Sequence, residues 1–223
     1  VYEVVSDGVK VTALSGDGSD TLYIGGIYDK SGDDYPYVGV LSSSGKVLRQ
    51  QFYRDETILI QDIIARDNVL QLCVSTKKEP NSSTIVSHGS LFANASSLVT
   101  SKFQTFAVTD KSASACAGSW NGDVFFQTLA NDSEDNMMTW VFNSSFDVSQ
   151  SYKMKKVKGA NDDDFYKFKG MDIATNTRGD YVFYAVTAYL KEEIAGALAI
   201  LKVSGDSSHF ENSGVSSKVA ENP

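Results

Sequence analysis

Acidic side chains form close pairs between the apolar runs of this sequence. Asp17 and Asp20 are one pair, and Asp33 and Asp34 are another. Calcium takes several oxygen ligands from flexible loops, so these aspartates are our candidate metal ligands, and calcium is the only cofactor suggested. The alternative interpretation is that they are solvated turn residues, because no EF-hand pattern surrounds them. A hydrolase would need two carboxylates at a fixed separation across a cleft, which the sequence does not establish.

Histidine-dependent catalysis has few residues available. The chain contains two histidines, His88 and His209. A Ser-His-Asp arrangement needs a histidine that lies beside a nucleophile and is held by a carboxylate. His88 stands inside a strand-like segment and His209 in a serine-rich one, and no Gly-x-Ser-x-Gly motif occurs. We therefore predict that the chain is not an enzyme and has no catalytic residues.

Aromatic residues near the ends of the apolar runs suggest a different kind of site. They either pack between structural repeats or line a carbohydrate-binding face. The sequence alone leaves both interpretations open. The residues concerned are Tyr28, Tyr35, Tyr37, Trp120, Trp140 and Tyr189.

Four Asn-x-Ser/Thr sequons are candidate sites for N-linked glycans. Asn81 and Asn131 fall in predicted turns, whereas Asn94 and Asn143 close apolar strand-like runs, where a glycan would reach solvent. Such modification requires a secreted or cell-surface protein. A chain that begins at Val1 without an initiator methionine also favours a processed or partial chain.

The two cysteines, Cys73 and Cys116, permit two interpretations. They are either buried free thiols, which behave as small apolar groups, or one disulfide, which an oxidising compartment favours. Without a companion pair of histidines they cannot form a structural zinc site.

The overall charge argues against two classes of partner. The formal net charge is −8, and an acidic surface repels phosphate backbones, so we expect no nucleic-acid binding. The lysines from Lys153 to Lys158 are typical of a protected edge strand. No apolar stretch of about 18 residues occurs, so we predict no membrane-spanning segment.

The elements that must position these residues follow from a repeat. Four apolar, β-rich cores recur at spacings of 48, 54 and 57 residues, beginning at Leu22, Leu70, Val124 and Tyr181. A short apolar strand and a tight turn precede each core, and a third strand and a more polar fourth segment follow it. This period with four strands per unit is typical of a propeller blade. We therefore predict an all-β, β-propeller-like fold with four blade-like repeats of four antiparallel strands, in a single domain over 1–223. The repeats are 9–55, 56–110, 111–165 and 166–223.

Two repeats share a more specific pattern. Gly170-Met171-Asp172-Ile173-Ala174, followed by Gly179-Asp180-Tyr181-Val182, resembles the core of SBBP-type propeller repeats, and Gln61-Asp62-Ile63-Ile64-Ala65 echoes it. The resemblance implies fold and carries no functional residues. If Cys73 lies on the second strand of one blade and Cys116 on the first strand of the next, their disulfide would link neighbouring blades.

Our leading hypothesis is therefore a secreted or cell-surface glycoprotein with a structural or interaction role. We expect its partners to be other protein subunits, with self-association included, and its modifications to be N-linked glycans. The second hypothesis is a calcium- or glycan-binding module that uses the loop-rich face of the propeller.

Overall fold

The computed structural model describes residues 8–80, 82–106, 114–130, 136–154, 157–158, 164–190, 193–203 and 209–211. Every regular element in these ranges is a β-strand. None of the described residues forms a helix long and apolar enough to cross a membrane. The four predicted apolar cores coincide with the second long strand of each sheet described below.

The strands form four antiparallel sheets in which strands that follow one another in the chain are neighbours. The first sheet contains β1 (Val9–Gly16), β2 (Thr21–Lys30), β3 (Asp33–Ser42) and β4 (Val47–Phe52). The second contains β5 (Ile58–Arg66), β6 (Val69–Lys77), β7 (Ile85–Asn94) and β8 (Thr100–Phe106). The third contains β9 (Ser114–Gly118), β10 (Phe125–Leu129), β11 (Met137–Phe142) and β12 (Val148–Met154). The fourth contains β13 (Val157–Lys158), β14 (Asp164–Thr175), β15 (Tyr181–Leu190), β16 (Glu193–Lys202) and β17 (His209–Glu211).

The chain divides into two compact units, 1–116 and 117–223. The first three sheets lie within the repeats predicted for them, whereas the fourth begins at Val157, ahead of the predicted boundary at 166. The single domain over 1–223 stays a prediction. Residues 212–223, at the end of the predicted fourth repeat, lie outside the described residues.

Tight turns join the second and third strands of the first sheet and the first and second strands of the second sheet. Ser31 and Gly32 have φ values of 60° and 96°, and Asp67 and Asn68 have φ values of 40° and 63°. Two consecutive positive φ angles define the type I′ turn, whose twist matches that of a hairpin. Asn, Asp and Gly tolerate this conformation, which explains why these residue types punctuate the apolar runs.

The core of the first unit lies between its two sheets. Tyr23, Val38 and Val40 from the first sheet pack with Ile60 and Leu72 from the second, and all five are at most 5% exposed. The sheets approach closely at Gly25, where a Cβ atom would come within 2.8 Å of Cγ2 of Ile60. A glycine is therefore needed at this position of β2.

Register shifts in β1 and β5, the first strands of the first and second sheets, allow hydrogen bonds from these strands to other strands. The register of β1 shifts between Val11 and Ala13, and the hydroxyl of Thr12 donates to the carbonyl oxygen of Ile60 at 2.8 Å. The register of β5 shifts in the same way beside Asp62, whose carboxylate accepts from the backbone N–H of Cys116 at 2.7 Å. A bulge aims one side chain out of the ladder, which makes these links possible.

Aromatic residues dominate the described core of the second unit. Phe125, Phe126 and Phe142 are fully buried. The hydroxyl of Thr139 lies 2.9 Å from that of Thr128 and 3.0 Å from that of Tyr184, so three buried hydroxyls satisfy one another. Burial raises the pKa of Tyr184 well above its usual range.

Candidate functional site

A cleft of about 710 Å³ opens at one end of the first sheet. It lies where β2 meets β3 and where β4 runs into the connection to β5. A cavity of this volume suits a ligand of the size of a drug or a short oligosaccharide. We call it the aromatic cleft, and its lining residues are Tyr28, Lys30, Tyr35, Gln50, Phe52, Tyr53, Arg54 and Glu56.

Strand register brings the main lining residues onto one face of the sheet. Tyr28 of β2 pairs with Tyr35 of β3, and Tyr37 pairs with Phe52 of β4. Residues that face each other across an antiparallel pair point to the same side, as do residues two positions apart along a strand. Gln50 therefore joins Phe52 on this face, while the opposite face of the sheet packs against the second sheet.

The aromatic rings of the cleft are held by packing. The ring of Phe52 lies 4.8 Å from that of Tyr28 and 5.3 Å from that of Tyr37, with interplanar angles of 54° and 50°. Tilted aromatic pairs at such distances are favourable. Tyr37 is fully buried, whereas Tyr28 and Phe52 are half-buried. The floor of the cleft is therefore preorganised, with ring surface left open.

Polar groups surround this aromatic floor. The side-chain carbonyl of Gln50 accepts from the hydroxyl of Tyr37 at 3.4 Å, and its amide nitrogen has no partner in the described part of the chain. The side chains of Lys30 and Arg54 likewise form no hydrogen bond or ion pair with a described residue. Desolvation and the nearby carboxylate of Glu56 raise the pKa of Tyr35.

Sequence reasoning identified part of this cleft. Tyr28 and Tyr35 line it as suggested, and Tyr37 supports it from below. Of the other aromatic candidates, Trp140 is buried and Trp120 is 51% exposed, both in the second unit, while the side chain of Tyr189 lies outside the described residues. The residues missed were Gln50, Phe52, Arg54 and Glu56. The sequence signal for two of them was the alternation of Gln50 and Phe52 along β4, but the register of β4 against β3 could not be read from the sequence.

The candidate calcium ligands do not come together. Asp17 and Asp20 lie in the turn before β2, and Asp33 and Asp34 begin β3 at the other end of that strand. At about 3.3 Å per residue, β2 separates the pairs by roughly 30 Å. Among the described residues, no three His, Cys, Asp or Glu side chains are placed to hold a metal ion.

Asp17 instead stabilises its own turn. Its carboxylate accepts from the backbone N–H of Ser19 at 2.9 Å, from the hydroxyl of Ser19 at 2.5 Å and from that of Tyr23 at 3.3 Å. Burial acts to raise the pKa of this carboxyl, but the hydrogen bonds from Ser19 and Tyr23 hold it below its ordinary value. This is the behaviour of a solvated turn residue.

Cys73 and Cys116 form a disulfide, which resolves the two interpretations of the cysteines. It joins the second strand of the second sheet, β6, to the first strand of the third sheet, β9. The Cα atoms lie 5.9 Å apart, and the residues are 0% and 4% exposed. The predicted covalent link between neighbouring blades is therefore present and buried.

Two of the four sequon asparagines lie in the described part of the chain. Asn94 ends β7 and Asn143 follows β11, so both occupy the turn between the third and fourth strands of their sheets. The side-chain oxygen of Asn143 accepts from the backbone N–H groups of Ser145 and Asp147, each at 3.0 Å. That of Asn94 accepts from Ser96 N–H at 3.0 Å and from the next backbone N–H at 2.8 Å.

These turns leave the acceptor nitrogens available. Each side-chain oxygen is held by the backbone, and neither Nδ2 atom has a partner among the described residues. Asn143 is exposed and Asn94 is half-buried. Asn81 and Asn131 lie outside the described residues.

The two histidines do not form an accessible site in the described structure. The Nδ1 atom of His88 lies 3.0 Å from the hydroxyl of Ser75, across the β6–β7 pair, and both residues are 0% exposed. A substrate has no access to a pair buried in this way. His209 begins β17, and its side chain lies outside the described residues.

No protein-family model matches the chain, and no curated protein matches its sequence. Solved structures do resemble it. The propeller of Dos1 matches with a TM-score of 0.52 and 9% identity, over 91% of this chain and 59% of that one. The β-propeller domain of the Trilobed protease from Pyrococcus furiosus, which has an open velcro topology, matches with a TM-score of 0.51 and 7% identity, over 93% of this chain and 59% of that one.

A third solved structure is similar over a larger share of its own length. The GH43_1 enzyme from Xanthomonas citri, in complex with xylotriose, matches with a TM-score of 0.57 and 12% identity, over 96% of this chain and 75% of that one. The β-propeller-like fold predicted from the repeats is confirmed. Identities this low show the fold alone, and the chain spans less than two thirds of the Dos1 and Trilobed protease chains. Kinship with SBBP-type repeats stays a prediction.

Proposed function

We propose that this chain is a secreted or cell-surface glycoprotein that acts as a structural or interaction unit of an extracellular assembly. The observation that carries the proposal is the buried disulfide between Cys73 and Cys116. Structural disulfides persist in oxidising compartments and are rare in the cytosol. The Cα separation of 5.9 Å falls in the range of ordinary structural disulfides.

The sequon turns support the same compartment. A glycan on Nδ2 of Asn143 would extend into solvent without breaking a hydrogen bond, because only the side-chain oxygen serves the turn. The same holds for Asn94. Both glycans would occupy the equivalent turn of their sheets, between the third and fourth strands.

Ligand binding is the second candidate function. The wide separation of the two aspartate pairs gives no support to a shared calcium site, whereas the aromatic cleft supports the binding of a small organic ligand. A binding role is compatible with the interaction role, because an extracellular assembly recognises its partners through such surfaces.

Intact mass spectrometry of the protein from its native source tests the proposal. We expect hexose-sized mass heterogeneity that collapses on enzymatic deglycosylation, with no thiol alkylation unless reductant is added. Asn143→Gln and Ser145→Ala, which each destroy the same sequon, should remove the same glycan mass, whereas Ser144→Ala keeps the sequon and serves as the control. A bare polypeptide mass with two alkylatable thiols would refute the extracellular assignment.

A further inference from the structure

We propose that the aromatic cleft binds a neutral saccharide, an inference that rests on the proposed extracellular interaction role. The cleft combines a fixed aromatic floor with a rim of unpaired polar groups. Sugars carry both kinds of surface, since their C–H faces are apolar and their edges bear hydroxyl groups. Each feature of the cleft corresponds to one of these surfaces.

The aromatic floor suits the C–H face of a sugar ring. The face of an aromatic ring carries negative charge density, which attracts the weakly positive C–H groups of a pyranose. Phe52 is fixed between Tyr28 and the fully buried Tyr37, so the binding surface exists before the ligand arrives. Preorganisation of this kind raises affinity because the aromatic rings of the floor do not have to be ordered on binding.

The polar rim suits hydroxyl groups, which both donate and accept hydrogen bonds. The amide nitrogen of Gln50 and the guanidinium of Arg54 are donors without a described partner, and the carboxylate of Glu56 is an acceptor. A proline-rich peptide also binds aromatic grooves. Its carbonyl oxygens would pair with these donors, but proline has no N–H to offer the carboxylate of Glu56, and an unpaired buried polar group is costly. A polyhydroxylated ligand avoids that cost.

Local charge favours a neutral sugar over an acidic one. Lys30 and Arg54 are the cations of the cleft. Around them, the cleft face of the β2–β3 hairpin and the connection to β5 carry three carboxylates, those of Asp33, Asp55 and Glu56. A uronate or a sulfated sugar is negatively charged and would approach a region with more negative than positive charge. Like charges at a protein surface repel each other unless salt screens them.

Binding of oligosaccharides to the intact disulfide-linked protein tests the inference. The probes are neutral cello-, xylo-, manno- and chito-oligosaccharides, with an oligogalacturonate and a polyproline peptide for comparison. Saturation-transfer NMR identifies binders, and calorimetry gives the dissociation constant. We expect saturable binding of at least one neutral oligosaccharide, and a loss of about tenfold or more in affinity for Tyr28→Ala.

Two further variants separate binding from folding. Gln50→Ala removes an exposed rim group, together with the acceptor of the Tyr37 hydroxyl, and should also weaken binding. Trp120→Ala removes an exposed aromatic ring of the other unit and should change affinity less than about twofold. Circular dichroism confirms that each variant is folded.

Three outcomes would overturn the inference: no saturable binding of any neutral oligosaccharide up to about 10 mM, unchanged affinity in Tyr28→Ala, or binding of polyproline or oligogalacturonate alone. The mass measurement above is independent. A glycosylated, disulfide-linked chain that binds no sugar would refute this inference and leave the proposed function intact.

Discussion

Reduction of the Cys73–Cys116 disulfide should destabilise the protein by an amount that follows from the chain length it closes. The bond joins residues 43 positions apart. In the chain-entropy model, a loop of this length contributes about 4 kcal/mol to the free energy of unfolding at 25 °C. Reduction removes no side-chain heavy atom, so this figure includes no cavity cost. The change is a large part of the 5–15 kcal/mol typical of a folded domain.

Urea unfolding followed by circular dichroism, with and without reductant, measures this quantity. If the free energy of unfolding falls by about 2 kcal/mol per molar urea, the urea midpoint of unfolding should fall by about 2 M on reduction. Alkylation and mass spectrometry must show that both thiols became free. Cys73→Ala/Cys116→Ala is the control, since its midpoint should not respond to reductant. A shift below about 1 kcal/mol in fully reduced protein would refute the account of the disulfide as a constraint on the unfolded chain.

Three other predictions concern polar groups and backbone conformation. Asp62→Ala should lower the free energy of unfolding by about 1–3 kcal/mol more than Asp172→Ala, and it should speed amide exchange at Cys116. The reason is that Asp62 accepts from the backbone N–H of Cys116, whereas Asp172 accepts only from the backbone N–H of its neighbour Ile173 in the described structure. Equal effects of the two substitutions would contradict this prediction. Tyr184→Phe should cost about 1 kcal/mol at neutral pH. Because the pKa of Tyr184 is raised in the folded state, its stabilisation is complete below about pH 10 and is lost above it, so the variant should lose less stability between neutral and strongly alkaline pH. Gly45→Ala should cost about 1 kcal/mol by thermal unfolding, since φ is 80° and a Cβ atom would meet nothing within 4 Å; an unchanged midpoint would contradict the strain.

The fold was predictable because each repeat is local. Apolar runs of strand length separated by Gly, Asn and Asp are enough to indicate hairpins, and the cores beginning at Leu22, Leu70, Val124 and Tyr181 all became strands. The pairing of Cys73 with Cys116 was one of two interpretations of the sequence, and their places in successive repeats are compatible with it. These inferences need only the order of strands along the chain, which an antiparallel meander preserves in space.

The candidate site was less predictable because it depends on register. That Tyr28 faces Tyr35, and that Phe52 packs on Tyr37, is decided by the pairing of three strands rather than by any one of them. A shift of one residue would have sent every ring to the opposite face. The separation of Asp17 from Asp33, in contrast, could have been inferred, because an apolar strand beginning at Leu22 was already predicted between them.

The placement of the disulfide also imposes an order on biosynthesis. Cys73 leaves the ribosome 43 residues before its partner, which corresponds to roughly 2–9 s at common elongation rates. During that interval the second sheet can form from its own four consecutive strands, while its thiol waits unpaired. With no other cysteine among these 223 residues, no third thiol of this segment competes with Cys116 for that thiol. The disulfide can therefore form only after β9 has been synthesised and has reached β6, so its formation follows the folding of the second sheet.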